Sequence, residues 1–109
     1  MNELKNKLIE YGNINTNKGL FFEDSFNANN VSFHQLSFIL INLGTILKED
    51  VDANIYIVSM KHFMNIATII IELKDNKINL IAFAKEGLIK QHTAKKVSLK
   101  IKNAILNNQ

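Results

Sequence analysis

Between residues 54 and 84 the chain carries three short runs dense in isoleucine and valine, and no other feature limits its fold so strongly. Residues 54–60 contain Ile55-Tyr56-Ile57-Val58, residues 66–74 contain Ile69-Ile70-Ile71, and residues 78–84 read Ile-Asn-Leu-Ile-Ala-Phe-Ala. A branched Cβ packs well on a pleated surface and loses rotamer freedom in a helix, so short runs of this kind favour strands. Asp75-Asn76 separates the last two runs as a tight hairpin connection, and residues 61–65 join the first two. The expectation is a meander of three consecutive antiparallel strands. Ile69, Ile71 and Leu73 alternate with Thr68, Ile70 and Glu72, so one face of that sheet is the more buried.

Helices are expected on either side of this stretch. Asn2 can cap a helix over 3–11, with Leu4, Leu8 and Tyr11 on one face and Gly12 at the position after its end. Gly19-Leu20-Phe21-Phe22 introduces a further strand, and the polar residues 24–30, which include Phe26, hold a second short strand at most. Ser32-Phe33-His34-Gln35 fits a capping box, with Val31 and Leu36 placed for a hydrophobic staple. Phe33, Leu36, Leu40, Leu43 and Leu47 then follow at steps of three or four, which predicts a helix over 33–47. Phe38, Ile39, Ile41 and Ile46 lie beyond that stripe, so this helix would be apolar nearly all round and would need cover on more than one side. Thr93 can cap a last helix over 94–107, whose inner face is Ala94, Val97, Ile101, Ala104 and Ile105.

The expected fold class is therefore α+β over a single domain, residues 1–109. It is a two- or three-layer sandwich of three helices on an antiparallel meander sheet of about five strands, in the order α-β-β-α-β-β-β-α. A chain of 109 residues, 47% hydrophobic and 21% charged, can bury one real core. It has no cysteine, which excludes a disulfide scaffold, thiolate metal sites and thiol catalysis. The amino end carries no basic and apolar leader, and the longest apolar run is far short of the roughly 20 residues a bilayer needs. The expectation is a cytoplasmic chain with no transmembrane segment.

All 13 basic residues are lysine, and with no arginine there is no guanidinium fork for phosphate or guanine. Six lysines against one glutamate from residue 85 onward concentrate positive charge at the carboxyl end. Lys90, Lys95, Lys96, Lys100 and Lys102 form a candidate basic patch, but no aromatic residue is interleaved to stack bases.

Catalytic patterns are missing from the sequence. His34, His62 and His92 stand about 30 residues apart, at no helical ligand spacing. There is no nucleophile elbow and no glycine-rich phosphate loop. Glu49-Asp50 with Asp52 lacks the glycine and closing glutamate of a calcium loop. No catalytic residue, cofactor or metal ligand is expected, and the chain is read as a non-enzyme. Phe26 and Phe63 fall in expected loops, where an exposed aromatic can anchor a partner.

Residues 19–24 (Gly-Leu-Phe-Phe-Glu-Asp), the helix over 33–47, and the run from 66 to Gly87 ending Leu80-Ile81-Ala82-Phe83-Ala84-Lys85-Glu86 together resemble the roadblock (dynein light chain) domain family in element order and length. Profilin and longin folds share related orders. The chain departs from the family at its first hairpin, where Asp24-Ser25-Phe26 stands in place of an Asp-x-Gly type turn. The resemblance implies a non-catalytic homodimer that acts as an adaptor or regulator and binds small GTPases, with central helices packed together and strands joined between protomers. The all-round apolar helix asks for a second covering surface independently, and Phe33, Phe38, Ile41 and Ile46 are its candidate interface residues. The alternative is a nucleic-acid or acidic-partner binder using the lysine-rich helix. A small enzyme or ligand-binding domain with a site invisible to residue spacing is the third reading.

Overall fold

The Ile-rich runs form the middle of one antiparallel sheet in a computed structural model that describes residues 2–16, 19–86 and 91–108. The elements are α1 (Asn2–Tyr11), β1 (Leu20–Asn27), α2 (Phe33–Ile41), β2 (Thr45–Asp50), β3 (Ile55–His62), β4 (Asn65–Lys74), β5 (Lys77–Ala84) and α3 (Thr93–Asn107). The strand order across the sheet is β1-β5-β4-β3-β2. Three helices and five strands make the α+β class expected. Asp75 and Asn76 both take left-handed backbone, φ 54° and 60°, as a two-residue turn with the right twist for a hairpin requires. They set the β4–β5 register from Lys74 opposite Lys77 to Ala67 opposite Ala84.

The sheet is buried on both faces. Tyr56, Val58, Ile69, Ile71, Leu80 and Ala82 meet α2 and α3 through Leu36, Leu40, Val97, Ile101 and Ile105. The opposite face, Ile55, Ile57, Ile70, Ile81 and Phe83, meets α1 through Leu4 and Leu8. Hence Ile55 to Val58 are buried without alternation, as in any strand covered on both sides.

Two expectations about the chain before and after α2 are corrected. The order is α-β-α-β-β-β-β-α. The second early strand is absent, because residues 24–27 extend β1, which pairs with β5 along eight residues and turns Phe26 into the core. The helix expected to reach Leu47 ends at Ile41, where the N–H groups of Leu43 and Gly44 both return to the Leu40 carbonyl at 3.0 Å. Gly44 lies so close to β3 that a Cβ there would run into the Ser59 carbonyl. The chain then forms β2, running antiparallel to β3 from Thr45 opposite Ser59 to Asp50 opposite Ile55. A helix continued to Leu47 would leave the outer backbone edge of the buried strand β3 without hydrogen bonds, which is the costlier arrangement.

The helix ends differ in detail from expectation. The capping box is present, with the Gln35 N–H on Ser32 Oγ at 3.1 Å and the Ser32 N–H on Gln35 Oε1 at 2.9 Å. After α1 the left-handed residue is Asn13, φ 50°, rather than Gly12. At α3 the cap position is His92, φ 53°, with no side-chain cap of its own, and Thr93 is the first helical residue.

Candidate functional site: the outer face of α2

Leu36 and Leu40 turn into the core and fix which side of α2 looks outward. Phe33 also turns inward and stacks on Tyr56, ring centroids 4.2 Å apart. The Tyr56 hydroxyl donates to the Phe33 carbonyl at 2.8 Å, and burial, with the Glu49 carboxylate nearby, raises the pKa of that phenol. Phe38 and Ile41 lie on the opposite side and are 59% and 60% exposed. The His34 ring meets the Phe38 ring at close to a right angle, 5.1 Å between centroids. Along one flank of α2, Val31, Gln35, Phe38, Ile39 and Asn108 line a hollow of about 200 Å³ at the seam with α3.

Of the four interface residues expected, the structure brings Phe38 and Ile41 to one outer surface and separates the other two from it. Phe33 packs on the sheet, and Ile46 belongs to β2, half-buried against the core. β2 is an edge strand with a register shift between Ile46 and Lys48, and Lys48 Nζ lies 4.1 Å from the Tyr11 ring centroid. A bulge and a lysine both discourage strand addition. On the far edge, β1 is blunted by Asp24, whose Oδ1 takes the Ser25 N–H at 2.8 Å.

The lysines of α3 do not form one patch. Lys95, Lys96 and Lys100 are exposed, as expected of an outer face, whereas Lys102 is half-buried. Lys102 pairs with Asp24 at 3.7 Å and lies 5.5 Å from the Phe26 ring centroid. Lys95 lines a hollow with Leu20, Phe21 and Glu86, while Lys96 and Lys100 act on His62. Lys90 is outside the described residues.

Among the described residues a network of polar side chains gathers where α3 begins, and its work there is structural. Glu86 accepts the N–H of Thr93 at 2.8 Å and of Gln91 at 3.3 Å, and Asn65 Nδ2 donates to Glu86 at 3.2 Å and to Thr93 Oγ1 at 3.0 Å. Burial alone would push the Glu86 pKa up, but these hydrogen bonds hold it below its ordinary value. Glu86 thus supplies the cap that Thr93 was expected to give. No local motif could have revealed this, because the carboxylate stands seven residues before the N–H it binds. His62 has a lowered pKa, from desolvation first and then from Lys100 and Lys96. Its Nε2 is buried without a hydrogen-bond partner among the described residues.

At the end of α1 a cavity of about 420 Å³ is lined by Ile14, Met64, Ile66, Thr68, Phe83 and Lys85, among others. Among the described residues no three of His, Asp or Glu gather closely enough to hold a metal ion, and no helix is long and apolar enough to cross a membrane. No protein-family model matches the chain, and no curated protein or solved structure does.

Proposed function

We propose that this chain is a non-catalytic interaction module that pairs with a second copy of itself through the outer face of α2. The observation that carries this reading is the exposure of Phe38 and Ile41 side by side on a helix whose other large apolar residues are packed. An aromatic and a β-branched side chain held outward on a well-capped helix make a self-complementary contact across a two-fold axis. The contact is helix against helix, because the bulge and Lys48 protect the neighbouring edge strand from extension. The resemblance to roadblock domains carries the proposal further, to an adaptor or regulator that engages a small GTPase. One difference from that pattern is that a single strand, not a hairpin, precedes α2.

The nucleic-acid alternative draws less support. Lys102 is engaged by Asp24, and Lys95 stands apart from the pair Lys96 and Lys100. Sedimentation equilibrium across a range of concentrations tests the pairing. A concentration-dependent dimer that Phe38→Glu or Ile41→Glu converts to folded monomer supports it. A monomer at every concentration overturns it.

A further inference from the structure

The hairpin joining β3 to β4 turns on Phe63 and Met64, and both side chains project into solvent, 73% and 88% exposed. Ile66, the next apolar residue, is 59% exposed on the α1 face. Phe63 has φ 53°, a left-handed conformation that a bulky residue adopts only under strain and that glycine adopts freely. Its ring lies 4.6 Å from the His62 ring, centroid to centroid, and belongs to neither core cluster. A costly backbone conformation thus holds a large apolar residue outward at the apex of a turn.

The surroundings of this apex are basic on both faces of the sheet. On the α1 face, Lys61 stands opposite Ile66 in the β3–β4 register, and Lys85 lines the same cavity as Met64 and Ile66. On the other face, Lys96 and Lys100 of α3 act on His62, the residue before Phe63. All four lysines are exposed. Glu86, which also acts on His62, is engaged by the start of α3.

We infer that the β3–β4 hairpin is a membrane-docking element that inserts Phe63 and Met64 into the interfacial layer of an anionic bilayer while the lysines contact the headgroups. Charge and shape favour a lipid surface over a protein. Protein interfaces are depleted in lysine at their centres, and a convex apolar tip ringed by ammonium groups fits a fluid anionic layer better than a preformed pocket. The two contributions act together, since a short apolar tip anchors weakly without electrostatic attraction.

The test is co-sedimentation of the full chain with phosphatidylcholine vesicles, with and without about one-third phosphatidylserine, at about 0.15 M salt. Binding is expected only to the anionic vesicles. Phe63→Gly removes the anchor and relieves the left-handed strain, so the variant should melt no lower than the wild type while binding about tenfold or more weakly. Lys61→Gln and Lys85→Gln should each weaken binding about fivefold. No binding to anionic vesicles overturns the inference, and so does binding that Phe63→Gly and Met64→Ser leave unchanged. A tip that captures only a protein, with vesicles ignored, overturns it too.

Discussion

Tyr56 holds α2 to the sheet twice over, its ring stacked on Phe33 and its hydroxyl donating to the Phe33 carbonyl at 2.8 Å. The side chain is fully buried near the start of β3. Tyr56→Phe keeps the stack and deletes the hydrogen bond. It should lower the unfolding free energy by about 1 kcal/mol, seen as a shift of the urea midpoint with unchanged slope.

Leu40 and Phe38 are two residues apart and point to opposite sides of α2. Leu40→Ala opens a cavity in the core and should cost about 2–5 kcal/mol. Phe38→Ala should change the stability of the monomer by no more than about 0.5 kcal/mol. Chemical denaturation at low protein concentration separates the two. Equal losses would mean that Phe38 is covered within its own chain.

The Glu86 pKa lies below its ordinary value because its carboxylate accepts backbone N–H groups at the start of α3. An acid with a depressed native pKa adds stability above its unfolded-state value, about 4.3, and that contribution is lost as pH falls through the native value. Glu86→Gln should therefore lower stability at neutral pH and flatten the acid limb of the stability profile. An acid limb identical in wild type and variant would show that the carboxylate does not cap α3.

Asn76 occupies the second left-handed position of the β4–β5 turn, φ 60°. Asn76→Gly should raise stability by about 0.5 kcal/mol, while Asn76→Val should cost about 1–2 kcal/mol, because a branched Cβ clashes in that conformation. Melting temperatures of the two variants should move in opposite directions.

The meander was legible because its signals are local. Asp75-Asn76 demanded a turn, and the β-branched runs beside it could not fill a helix comfortably. The end of α2 was not legible, because Leu43, Ile46 and Leu47 extend a helical stripe and also suit a strand. What decided between them was β3, whose buried outer edge needed hydrogen bonds from β2. The same holds for residues 24–27, polar by composition but extended because β5 offers them a full register. At the proposed surfaces, the outward turn of Phe38 and Ile41 depends on where α2 meets the sheet. The lysines around Phe63 come from β3, from the residue after β5 and from α3, which only the folded chain brings together.

The sheet places its first strand beside its last, with Asn27 opposite Lys77 and Leu20 opposite Ala84. The four strands from Thr45 to Ala84 pair with their neighbours in sequence, so they can form by closing short loops. β1 must close one of 50 residues or more, so it docks last, after the meander has passed the rate-limiting step. Phe26→Leu should therefore speed unfolding and leave refolding nearly unchanged in stopped-flow measurements, whereas Ile70→Val should slow refolding. During synthesis β1 leaves the ribosome before the other strands, yet its partner β5 is the last of the five to be made. For most of that interval the Phe21-Phe22 segment must stay soluble without its place in the sheet.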